Sequence, residues 1–79
     1  MTTLLDDLRA VLKNVFNDPD LEIKLSTTAK DVEGWDSLMH VRLILTIEKT
    51  FNVRFSASEA SSFENISDIL RSLEQKKSV

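Results

Sequence analysis

Apolar residues recur at Leu4, Leu5, Leu8, Val11, Leu12, Val15 and Phe16, a single stripe at the helical period of 3.6 residues per turn. The pattern predicts a helix over about 3–16. Thr3 followed by Asp6 suits a capped start. Asn17-Asp18-Pro19 ends the stripe, because proline offers no N–H and pushes the residue before it out of helical geometry. Between Asp20 and Trp35 the periodicity is lost. Leu21, Ile23 and Leu25 alternate with Glu22 and Lys24, but the run is too short to build a sheet alone and no second strand-like segment offers a partner. The segment therefore reads as a long ordered loop, pinned to a helical core by Leu21, Ile23 and Leu25. Such a connection is uncommon in compact domains and, where it occurs, is often functional.

Gly34-Trp35-Asp36-Ser37 punctuates the chain, and the following LMHVRLILTIEKTF predicts a second helix over about 37–51. It is apolar on nearly every side. Leu38, Val41, Leu45 and Glu48 share one face, and Leu43, Ile44, Ile47 and Phe51 another. An amphipathic helix needs one apolar stripe, so the second set faces another core layer or a partner. Ser56 with Glu59 is a capping-box pattern for a short helix over about 56–62. Asn65 with Asp68 caps a last one over about 65–76, where Ile66, Ile69, Leu70 and Leu73 recur at helical spacing and lysines suit the C-terminal end. The expected fold is all-α: a small four-helix bundle of three longer helices and one short, with a long ordered loop between the first and second, forming a single domain over 1–79.

Composition narrows the chemistry. A chain of 79 residues has room for one small core and little for a deep catalytic cavity. With no Cys and His40 as its only histidine, disulfides, a thiolate nucleophile, Cys-ligated zinc and multi-histidine metal sites are excluded. Ten basic against thirteen acidic residues give a net charge of −3 and no basic stripe, which argues against nucleic-acid binding. MTTLLDDLRA reaches an acidic pair at once and lacks a signal peptide's basic and apolar regions. No apolar run approaches the roughly 20 residues that span a bilayer. The expectation is a cytoplasmic protein without membrane insertion, monomeric and, from Met1 and the short polar tail, free-standing.

The segment richest in chemistry is Gly34-Trp35-Asp36-Ser37-Leu38-Met39, where the long loop meets the second helix. Asp36-Ser37-Leu38 resembles the DSL motif of acyl carrier proteins. The resemblance extends over essentially the whole chain. A first helix ending at an Asp-Pro break, a long loop, a DSL helix ending in Glu48-Lys49-Thr50-Phe51, a short third helix and a last one beginning Asn65-Ile66 follow the family's order and spacing. The resemblance implies that Ser37 accepts a 4′-phosphopantetheine arm from coenzyme A, that Asp36 and Leu38 frame it, and that the arm carries acyl or aminoacyl groups as thioesters. It implies partners too: a phosphopantetheinyl transferase acting with magnesium, an acyl-loading ligase or transferase, and a downstream synthase or acyltransferase. The domain itself would catalyse nothing. Helix physics agrees, since a helix N-terminus presents unpaired N–H groups and the positive end of the dipole to an anion attached at Ser37. A serine hydroxyl is a poor nucleophile without a base, so activation would come from the transferase.

Other readings of these residues stand beside this one. Ser37 and Asp36 are both helix-capping residues. His40 lies three residues after Ser37, but no Gly-x-Ser-x-Gly elbow and no oriented carboxylate complete a hydrolytic site, and His40 is expected as a solvated surface histidine beside the arm. Asp31, Glu33 and Asp36 lack the spacing of a calcium loop and are expected to be solvated. Asn65-Ile66-Ser67 matches a glycosylation sequon, yet reads better as a cap. Trp35 suits packing and a partner contact equally.

The second helix departs from the family's acidic pattern. From Ser37 to Asn52 its charges are Arg42, Glu48 and Lys49, with Met39 where an acid is common, so steering toward basic enzymes is weak. Recognition is expected through Trp35, Leu38, Met39, Val41 and Leu45, with Arg42 selecting an acidic partner. That pattern suggests a specialised pathway, such as polyketide or other secondary metabolism, lipid modification or aminoacyl transfer, rather than bulk fatty acid biosynthesis. Leu43, Ile44, Ile47, Phe55, Ile66 and Ile69 are expected in the core; the resemblance implies that a cargo chain can fold back between helices, in a space such residues would line. The rival from another class is an unmodified helical adaptor that docks its apolar second helix into a partner.

Overall fold

Thr3 opens the first helix: its Oγ1 accepts a hydrogen bond from Asp6 N at 3.1 Å, and α1 follows as Leu4–Val15. The computed structural model describes residues 3–77; Met1-Thr2 and the polar end Ser78-Val79 lie outside them. α1 stops before the proline predicted to end it. Asn17 takes a left-handed conformation (φ 51°), and Asn17 N and Asp18 N turn back to Asn14 O and Lys13 O at 3.2 and 2.9 Å. This is the hydrogen-bond pattern of a Schellman stop, with Pro19 just beyond.

α2 spans Ser37–Phe51, α3 Ala57–Ser62 and α4 Ile66–Lys77. α2 also stops on a left-handed asparagine, Asn52 at φ 55°. The expected capping box is present at α3: Ser56 Oγ accepts from Glu59 N and Glu59 Oε1 accepts from Ser56 N, at 3.1 and 2.9 Å. Asn65 Oδ1 caps α4 through Asp68 N at 3.0 Å. The four-helix, all-α architecture is as the pattern predicts.

The core joins Leu8, Val11 and Leu12 of α1 to Leu43, Ile47 and Phe51 of α2 and to Ile66, Ile69 and Leu73 of α4, with Ile23 from the loop. α3 contributes no buried residue. Of the three loop residues expected to pin the connection, Ile23 is buried and Leu21 half-buried, but Leu25 is 47% exposed. Val32 and Thr27 are buried in its place. Alternation misplaces Leu25 because the loop is not a strand. It turns at Lys24 to Thr27, where Thr27 N donates to Lys24 O and Lys24 N to Thr27 Oγ1, then makes a 3-10 turn at Ala29–Asp31. It does find a partner, though not a strand of its own: an isolated bridge joins Thr28 to Asn65. Leu25 O and Thr27 O accept from Ser67 N and Ile66 N at 2.9 and 3.0 Å, so the loop caps the start of α4. Arg9 Nε holds the same loop to α1 by donating to Ile23 O at 3.1 Å.

Candidate functional site

Gly34, at φ +86°, lets the loop turn sharply into α2, a conformation that L side chains rarely adopt. Asp36 then caps the helix: its Oδ1 accepts from Met39 N at 2.9 Å, while its carbonyl accepts His40 N at 2.9 Å. Of the two candidate caps, Asp36 therefore holds the position. Ser37 is the first residue of α2, exposed to solvent, so its Oγ stands at the helix end where unpaired N–H groups and the dipole favour an anion.

Leu38, Val41 and Leu45 are 70%, 55% and 53% exposed and form a row beginning next to Ser37, whereas Leu43, Ile44, Ile47 and Phe51 on the opposite side are buried. The face of Leu38, Val41 and Leu45 is thus the one turned to solvent, and that of Leu43, Ile44, Ile47 and Phe51 is the core face. Arg42 and Lys49 lie in the same exposed row, and among the described residues neither side chain has an ion-pair or hydrogen-bond partner. Met39 departs from the expected group: it is half-buried, since it points a quarter-turn of the helix away from Leu38.

Trp35 combines its two readings. It packs on the core beside Phe16, ring centroids 5.6 Å apart, and it also lines an open groove with Ser37. His40 is not the solvated surface residue expected. It is half-buried, its Nδ1 accepts the Trp35 indole N–H at 3.2 Å, and its Nε2 lies 2.8 Å from Ala60 O. A carbonyl can only accept, so Nε2 carries the proton. Both ring nitrogens are thereby engaged away from Ser37, which leaves a Ser37–His40 hydrolytic pair without a base. The spacing of Trp35, His40 and Ala60 in the sequence carries no signal of this chain of bonds, because Ala60 contributes only its carbonyl.

Asp31 is spent on the 3-10 turn, accepting from Thr28 N at 2.9 Å, and among the described residues no cluster of three acidic or histidine side chains could hold a metal ion. The Glu59 carboxyl is held below its ordinary value chiefly by the Ser56 N–H and then by Lys76, 3.0 Å away. These contacts secure α3 and lie apart from Ser37. No helix among the described residues is long and apolar enough to cross a membrane.

An exposed serine at a capped helix start, with an open groove beside it, fits the phosphodiester of a phosphopantetheine arm, and comparison with known proteins points the same way. The family model for the phosphopantetheine attachment site matches residues 6–73. The chain is 28% identical over 74 residues to an acyl carrier protein of Wolinella succinogenes, covering 94% of this chain and 97% of that protein. It is 29% identical over 76 residues to one of Brachyspira hyodysenteriae, covering 94% and 96%. The fold is similar to the solution structure of a holo acyl carrier protein from Geobacter metallireducens, with a TM-score of 0.90, 28% identity, and 98% of this chain and 88% of that one covered. The chain belongs to the phosphopantetheine-attachment family of acyl carrier proteins, whose members carry a covalently attached 4′-phosphopantetheine.

Proposed function

We propose that this chain is a non-catalytic acyl carrier whose 4′-phosphopantetheine is attached through Ser37 Oγ, serving a specialised biosynthetic pathway in the cytoplasm as a monomeric single domain. The observation that carries the reading is the position of Ser37, exposed at the first residue of α2 within a family match spanning residues 6–73. The arm supplies the thiol on which acyl or aminoacyl cargo is held as a thioester.

The chain's own residues do the rest. Asp36 fixes the first turn of α2 and so the direction of Ser37 Oγ. Backbone N–H groups of that turn favour the phosphodiester's negative charge. His40, the chain's one histidine, is bonded elsewhere and does not serve as a base for the serine, consistent with activation by a phosphopantetheinyl transferase.

The row of Leu38, Val41 and Leu45 supports a docking role for this face, toward the transferase, a loading ligase or transferase, and a downstream synthase or acyltransferase. Arg42 and Lys49, unpaired within the row, favour partners whose docking surface is acidic. This departure from an acidic helix is what supports a pathway other than bulk fatty acid synthesis. The same exposed row favours the second reading, an unmodified adaptor.

Intact-mass measurement after incubation with coenzyme A, magnesium and a promiscuous phosphopantetheinyl transferase separates the two. The carrier reading expects one added phosphopantetheine in the parent and none in Ser37→Ala. A folded parent that gains no mass with several transferases leaves the adaptor.

A further inference from the structure

The imidazole of His40 is bonded at both nitrogens. Nε2 donates to Ala60 O of α3 at 2.8 Å, and Nδ1 accepts the Trp35 indole N–H at 3.2 Å, with the two rings stacked 6.0 Å apart at 19°. Among the described residues the indole N–H has no other partner. Apart from that bond the indole is held by packing, notably against Phe16 with ring centroids 5.6 Å apart.

These two bonds require one protonation state. Neutral imidazole donates at one nitrogen and accepts at the other, whereas imidazolium donates at both. A proton added at Nδ1 sets one N–H against the indole N–H and ends that bond. The same proton strengthens the bond to Ala60 O, because a charged donor is held more tightly than a neutral one. The ring therefore stays on α3, and Trp35 is the partner that lets go. Trp35 stands two residues before Ser37 and forms part of the groove wall beside it, so its release reshapes the surface next to the serine. Histidine is the side chain whose charge ordinarily changes between about pH 5 and about pH 8.

Two carboxylates line the spaces that His40 borders. Asp36 caps Met39 N through Oδ1, and Glu48 Oε2 accepts from Phe55 N at 2.8 Å. The loop, α3 and the segments flanking α3 add no charged side chain to either space. An arm at Ser37 adds another negative group, its phosphodiester, three residues before His40 on the same helix. Negative charge at that spacing favours imidazolium.

Resting on the carrier reading of Ser37, we propose that His40 is a positioning residue that clamps the Trp35 indole only while neutral, and that the phosphodiester of the arm favours the protonated form, which releases it. The apo chain thus keeps Trp35 clamped to a lower pH than the holo chain does.

The test titrates the apo chain, and the chain loaded with phosphopantetheine from coenzyme A and verified by mass, between about pH 8 and about pH 5. His40 is the only histidine and Trp35 the only tryptophan, so the imidazole ¹⁵N resonances, the indole N–H resonance and the indole emission each report on one residue. The expected neutral ring carries its proton on Nε2, and the Trp35 signals shift with the midpoint of the ring. The holo midpoint is expected higher by roughly 0.1–0.4 pH unit, the size of an exposed charge pair one turn apart on a helix, and added salt narrows the gap. His40→Asn offers an amide oxygen in place of Nδ1 without a titrating ring, and is expected to hold the Trp35 signals of the high-pH parent across the range. Trp35 signals that stay constant while the ring titrates overturn the clamp, as does a neutral ring protonated at Nδ1 or a folded His40→Asn whose Trp35 signals still follow pH. Should that variant fail to fold, the comparison of ring and indole midpoints in the parent decides. Equal midpoints in apo and holo chains overturn the coupling to the arm. Absence of any mass gain counts against the carrier reading, whereas the apo titration decides the clamp without it.

Discussion

Replacing Asp36 by alanine removes the side-chain oxygen that caps α2 and leaves Ser37 in place. In the folded chain Asp36 Oδ1 accepts from Met39 N at 2.9 Å, one of the four N–H groups that a helix start leaves without an intrahelical partner. The site is exposed, so water takes over the freed N–H and the penalty stays near the middle of the capping range, about 1 kcal/mol. For a domain of this size that corresponds to a fall in Tm of roughly 4–8 °C. Asp36→Asn keeps an acceptor oxygen in the same place and is expected to lose less than about 0.5 kcal/mol, since asparagine caps as well as aspartate does. Urea and thermal melts followed by circular dichroism compare the three proteins. Loading by a transferase is expected to slow in the alanine variant, where the first turn that aims Ser37 is loosened, and to recover in asparagine. Equal stability and equal loading of all three would show that the Asp36–Met39 bond does not organise the site.

Ile47 is fully buried, and Ile47→Ala is expected to cost about 2–5 kcal/mol, most of the stability of so small a domain; chemical denaturation measures it. Leu45→Ala, on the exposed face of the same helix, is expected to change stability by less than about 0.5 kcal/mol while slowing loading by the transferase. Arg42→Glu with Lys49→Glu is expected to leave the melt unchanged and to raise kcat/KM for a transferase with a basic docking surface, an advantage that added salt removes; no change at low salt contradicts the charge assignment. Glu59 has a folded-state pKa below its ordinary value of 4.5, so its ionised form favours folding. That contribution is present above the ordinary value and is lost as the pH falls through the lowered one. Glu59→Gln is therefore expected to show a smaller drop in urea midpoint between about pH 6 and about pH 3 than the parent.

Local signals account for much of the fold. Ser56 with Glu59, Asn65 with Asp68 and Thr3 with Asp6 each name a cap within four residues, and the stripes of α1, α2 and α4 name the buried faces. The long loop was legible as a loop but not in its path. Whether Leu25 or Thr27 is buried depends on where α4 offers N–H groups to the loop's carbonyls, a tertiary fact that alternation cannot encode. At the site, the position of Ser37 and the exposed row of Leu38, Val41 and Leu45 follow from spacing along one helix. The bonding of His40 does not, because its partners lie five and twenty residues away and one of them is a backbone atom. Met39 shows the limit on the same helix: its step from Leu38 turns it off the exposed row, although both are apolar.

The central claim is that Ser37 carries the arm, and the sequence supplies a direct way to read it. Trypsin cleaves after Lys30 and Arg42, releasing Asp31-Val32-Glu33-Gly34-Trp35-Asp36-Ser37-Leu38-Met39-His40-Val41-Arg42, in which Ser37 is the only hydroxyl side chain. Fragmentation of this peptide after treatment with coenzyme A, magnesium and a promiscuous transferase is the most direct measurement. The phosphopantetheine mass on fragments that contain Ser37, and on no other peptide, is the predicted result. An unmodified peptide from a folded chain, or the added mass on a different peptide, contradicts the account.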